Sequence, residues 1–96
     1  MPDIELLAPA RLEYAEAFQW YASQSFFAAE SFVKEFEAAV SSIRGYPDRY
    51  HRWDDHYRFY LLDRFPYFVA YRQERDKIVI VAVRHTSRDQ DEWKGR

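Results

Sequence analysis

Arginines, three histidines and scattered carboxylates are the side chains of this 96-residue chain whose chemistry bears on function. There is no Cys, which excludes a disulfide framework, a thiol nucleophile and a thiolate metal site. His85 stands at the end of a β-branched run, with Arg88 three residues on. An imidazole there is either a proton carrier near neutral pH or a hydrogen-bonded structural group. The other two histidines fall in residues 45–56, GYPDRYHRWDDH. His51-x4-His56 with Asp54 or Asp55 supplies ligand types that zinc accepts. That spacing matches no zinc motif, so the segment reads as a solvated connector with its aromatics turned onto the nearest core. No metal and no cofactor is expected.

Net charge is −2, but unevenly divided. Residues 1–43 carry two basic and seven acidic side chains (−5), and residues 44–96 carry twelve basic and nine acidic (+3), which together give −2. Ten of those twelve cations are Arg, the residue that grips carboxylate and phosphate bidentately and stacks on aromatic faces. Arg also guards exposed sheet edges against aggregation. Arg58, Arg64, Arg84 and Arg88, with Tyr60 and Trp93, are the expected contacts to a partner or target. Trp93 has a second reading, as a plug that packs the polar tail onto the sheet.

The elements that must position these groups follow from periodicity. Tyr57–His85 contains three apolar segments with charged breaks, which predicts consecutive antiparallel strands over 57–63, 67–72 and 77–85. Ile78 to Val83 is apolar at both parities, as expected of a strand covered on both faces. Pro66 fits only at or just outside the start of the middle strand. Before them, Asp3 to Leu7 reads as a short edge strand. Leu12, Ala15, Phe18 and Ala22 recur at helical spacing over 9–23, and Tyr14, Ala17, Phe18 and Tyr21 form a second apolar set beside them. Such a two-sided helix is expected to touch both the sheet and another helix. Ser25 is the predicted N-cap of a second helix over 25–44, striped by Phe32, Phe36, Val40 and Ile43. Gly45, in a left-handed conformation, and then Pro47 are expected to end it.

The reading is one α+β domain over 1–96, β-α-α-β-β-β, with a helix hairpin on an antiparallel sheet and a short tail. The N-terminus is acidic, and the longest aliphatic run is six residues, against roughly 20 needed to span a bilayer. A cytoplasmic protein with no membrane partner is expected.

This order, with Arg64-Phe65-Pro66-Tyr67, Tyr71, Ile78-x-Ile80-x-Ala82-Val83-x-His85-x-x-Arg88 and Trp93, resembles the RelE/ParE superfamily of bacterial toxins over essentially the whole chain. The resemblance implies the toxin of a type II toxin–antitoxin module of the plasmid-stabilisation type. It also implies neutralisation by a cognate antitoxin in a hetero-oligomer. RelE-like members cleave mRNA on the ribosome, and ParE-like members share the scaffold but poison DNA gyrase. By that resemblance His85, Arg88 and Arg58 are the catalytic set if the chain is a nuclease. Such chemistry needs a base, an acid and a cation for the phosphorane. Phe68 stands where the nucleases carry an Arg, and the chain is slightly acidic, whereas polyanion binding draws on positive charge. Both features favour a ParE-like, non-catalytic gyrase binder over the alternatives, a ribosome-dependent endoribonuclease or a non-toxic relic of the fold.

Overall fold

Strand β5, Lys77–His85, buries side chains on both its faces, and the rest of the chain is arranged around it. In the computed structural model, which describes residues 2–88 and 92–96, the elements before it are β1 (Asp3–Leu6), α1 (Ala8–Gln24), α2 (Phe26–Gly45), β2 (His51–Arg52), β3 (Arg58–Leu61) and β4 (Tyr67–Glu74). They form one five-stranded sheet in the order β1-β5-β4-β3-β2. The expected strands over 67–72 and 77–85 are present, the first of the three is shortened to β3, and both helices lie within one residue of expectation at each end. Two features were not expected. β1 pairs with β5 in parallel, and the connector after α2 contributes the two-residue strand β2 at the far edge.

The helix hairpin covers one face of the sheet. Phe32, Phe36, Ala39 and Ile43 of α2 pack on Tyr71, Ile78, Ile80 and Val83. Each such large apolar side chain, taken out of water, is worth about 1.5–3 kcal/mol. A second cluster of Tyr57, Phe68, Val79, Val81, Ala82 and Trp93 fills the opposite face. Pairing between β4 and β5 runs Ala70 to Ala82 and then Tyr71 to Ile80, so Val81 is an extra residue, a β-bulge. The bulge lets Val81 and Ala82 lie on the same outer face and returns Val83 to the helix side.

The face of α1 differs from the first stripe read in the sequence. Leu12 points outward at 63% exposure, and the inward face is instead Ala10, Tyr14, Ala17 and Tyr21. Tyr14 packs on Phe32 and Phe36 with ring centroids 5.7 and 4.4 Å away, so this set serves the helix–helix seam. Ser25 does cap α2, its Oγ accepting from the Ala28 N–H at 2.9 Å. Gly45 is not left-handed; it remains the last residue of α2 and the chain exits through Tyr46 at φ −142°, whose N–H donates to the Ser42 carbonyl. With Pro47 next, the stop does not depend on a positive φ. Among the described residues no helix is long and apolar enough to cross a membrane.

Candidate functional site

β5 outruns its parallel neighbour. β1 pairs with Lys77 to Ile80, and Leu7 then donates its N–H to the Ile80 carbonyl at 3.0 Å as the chain turns into α1. The edge of β5 beyond that point is met by side chains. Glu13 of α1 accepts the Val83 N–H through Oε1 at 3.0 Å, and Arg96 Nη1 donates to the Val81 carbonyl at 3.0 Å. The same Nη1 lies 3.0 and 3.1 Å from the two Glu13 oxygens, and Arg84 Nη1 lies 3.0 Å from Glu13 Oε2. One carboxylate thus ties together helix, strand edge and tail, and blunts an edge open to strand pairing.

Beside this cluster lies a cleft of about 460 Å³, with Leu12, Glu16 and Trp20 of α1 on one wall and Tyr67, His85 and Arg88 on the other. His85 packs edge-on against Tyr67, with ring centroids 5.2 Å apart, and its Nδ1 accepts the Ser87 N–H at 3.0 Å. With Nδ1 accepting, the neutral ring carries its proton on Nε2. Burial pushes the Tyr67 hydroxyl above its ordinary pKa, and Arg88 opposes that shift. The α1 wall of the cleft has an apolar rim, Leu12 at 63% and Trp20 at 57% exposure, and Phe26 and Phe27 at the start of α2 are 81% and 76% exposed.

Of the residues singled out by sequence, Arg84, His85 and Arg88 line this cleft. Arg58 does not. It lines a separate concavity, opposite Tyr71 on β4, while His85 is opposite Tyr67; four residues along a strand are about 13 Å. Tyr60 stacks edge-on with Tyr50 (4.9 Å), and burial raises its hydroxyl pKa. Arg64 is exposed at the β3–β4 turn, where Glu35 of α2 accepts its backbone N–H at 2.7 Å.

Arg84 and Trp93 are interior. Arg84 is 5% exposed, and Glu92 adds a second carboxylate 3.4 Å from its Nη2. Trp93 is fully buried against Trp53, Tyr57 and Phe68, on the face opposite the helices. Its Nε1 and the Nε and Nη2 of Arg84 have no hydrogen-bond partner among the described residues. The histidines and aspartates of the connector are dispersed. Asp54 accepts the N–H groups of His56 and Tyr57, which holds its carboxyl below its ordinary pKa; Asp55 pairs with Arg52, and His51 stacks on Phe59. Among the described residues no group of three or more His, Asp or Glu side chains converges as metal ligands would.

Glu13 was missed in the sequence, although the signal was there: it lies between Ala10 and Ala17 on the same helical face, a carboxylate where burial expects an apolar side chain. Arg96 was likewise missed, because only tertiary contact assigns a tail residue its partners.

Comparison with known proteins agrees with this architecture. A family model described as "ParE toxin of type II toxin-antitoxin system, parDE" matches residues 4–90. A solved structure titled "Chromosomal ParDE TA system from P. aeruginosa" superposes with a TM-score of 0.64 at 15% identity, covering 88% of this chain and 96% of that one. At that identity the likeness is one of fold. No curated protein sequence gives a significant match.

Proposed function

Because the chain belongs to the ParE toxin family of type II toxin–antitoxin systems, we propose that it acts by binding a target of the DNA gyrase type and is neutralised by a cognate antitoxin. The observation that carries this reading is the composition of the sheet face opposite the helices. A ribonuclease of this scaffold needs exposed cations and a proton carrier gathered around one phosphate. Here Phe68 occupies the middle strand at 3% exposure, Trp93 packs over it, and Arg84 is turned into an ion pair with Glu13. His85 and Arg88 share a cleft that Arg58 does not line.

Antitoxin neutralisation is supported by the exposed large apolar side chains of the helix hairpin, Leu12 and Trp20 on the rim of the cleft and Phe26 and Phe27 at the start of α2, since exposed apolar surface of this kind marks a partner site. The test has three arms. The purified chain should inhibit gyrase supercoiling, should leave ribosome-bound mRNA intact, and should lose toxicity in cells when the product of the adjacent reading frame is co-expressed. mRNA cleavage by the wild-type chain that disappears in His85→Ala would overturn the target assignment in favour of the endoribonuclease. A chain that neither arrests growth nor touches gyrase or mRNA would leave the relic reading.

A further inference from the structure

Arg58 is a partly buried guanidinium that donates one N–H, from Nη1 to the Tyr50 carbonyl at 2.8 Å, and has no carboxylate within ion-pairing distance among the described residues. Arginines removed from water are ordinarily paired, and an uncompensated one is costly. This one lines a concavity of about 310 Å³ at the end of the sheet where β3 begins and β4 finishes, together with Arg52, Asp54, Asp55, His56, Arg72 and Gln73. The two aspartates of this lining, and Glu74 and Asp48 close to it, have partners other than Arg58. Asp54 accepts two backbone N–H groups and lies 3.8 Å from Lys94, Asp55 pairs with Arg52, Glu74 pairs with Arg72, and Asp48 accepts from Gln73. The Arg52–Asp55 pair is at the surface, where an incoming anion can displace the carboxylate at little cost.

We propose that this concavity is a binding site for a phosphate group, seated on Arg58 and flanked by Arg52 and Arg72. A guanidinium fork matches two oxygens of a tetrahedral oxyanion, which a lone ammonium does not. The net charge of −2 and the single localised cluster suit one phosphate presented by a small ligand better than a track for a polyanion. The site is independent of the gyrase reading and uses none of the residues of the α1–β5 cleft.

The test is a titration of the isotopically labelled full chain with inorganic phosphate at constant ionic strength, followed through the amide resonances of residues 52–58 and 71–73, with a short DNA duplex as the second arm. Saturable shifts at those amides are expected, weakened about tenfold or more in Arg58→Gln and by a smaller factor in Arg58→Lys, which keeps charge but not the fork. A duplex that binds no tighter than its phosphates individually assigns a small ligand. Markedly tighter, salt-sensitive duplex binding that is lost in Arg58→Gln assigns the same phosphate chemistry to nucleic acid. Should Arg58→Gln lose the dispersed spectrum of a folded chain, the exposed Arg52→Gln variant carries the decision, and severalfold weaker phosphate binding is expected of it. Absence of saturable shifts in the wild type, or phosphate binding unchanged in the folded variants, would overturn the site.

Discussion

Glu13 and Arg84 face each other across the seam between the helix hairpin and the sheet, Oε2 to Nη1 at 3.0 Å, with side-chain exposures of only 16% and 4%. Removing the carboxylate leaves the buried guanidinium only the exposed Glu92, 3.4 Å from its Nη2, and leaves the Val83 N–H without its acceptor. Glu13→Ala should therefore cost about 3–5 kcal/mol, the range for breaking a buried pair. The exposed Arg64→Ala should cost no more than about 1 kcal/mol. Urea denaturation of both variants measures the contrast, and equal losses would refute the role assigned to Glu13.

The tail residue Trp93 is as buried as any residue of the sheet. Trp93→Ala should lose about 3–5 kcal/mol by opening a cavity against Trp53, Tyr57 and Phe68. Trp93→Phe, which refills most of that space and removes an indole N–H that has no acceptor among the described residues, should recover a large part of the loss. Recovery no better than alanine would show that shape, rather than burial, governs the site.

Burial drives the Tyr71 hydroxyl up to about 12, against an ordinary value of 10.0, and it donates to the Pro47 carbonyl at 2.6 Å. A group with a raised folded pKa stabilises fully below its unfolded value, and that contribution is lost as pH climbs through the folded one. Stability should therefore fall between about pH 10 and 12 in the wild type, and the fall should be smaller in Tyr71→Phe. At neutral pH the same variant should be weaker by about 1 kcal/mol, for one hydrogen bond. Thermal melts across that pH range, with ultraviolet titration of the phenols, test both signs.

On the surface reading of α1, Leu12→Glu and Trp20→Ala should leave stability within about 0.5 kcal/mol of wild type, because neither side chain is core. If the rim seats the antitoxin, Trp20→Ala should weaken that complex by at least about 2 kcal/mol, roughly thirtyfold, as anchor aromatics do. Calorimetry with the adjacent gene product decides it, and unchanged affinity would move the antitoxin to another face.

The fold was legible in the sequence wherever one residue pattern admits a single periodicity. The Phe32, Phe36, Val40, Ile43 stripe, the Ser25 cap, the proline at the entrance to β4 and the two-faced apolar run of β5 each depend on neighbours within a few residues. What only tertiary structure decided involves partners far apart in the chain. Helical periodicity offered two apolar faces on α1; packing against Phe32 and Phe36 selected Tyr14 and Tyr21 and turned Leu12 outward. β1 joined β5 in parallel through partners such as Asp3 and Lys77 that lie far apart in the chain, and no local signal carries strand direction. Charge followed the same division. Composition shows that arginines crowd the second half, but whether each one pairs inside, as Arg84 does with Glu13 seventy-one residues away, or lacks a carboxylate among the described residues, as Arg58 does, is settled by which carboxylates the fold brings within reach. Coulomb attraction between side chains is largely screened beyond roughly 10 Å, so it acts only after the backbone has closed those distances.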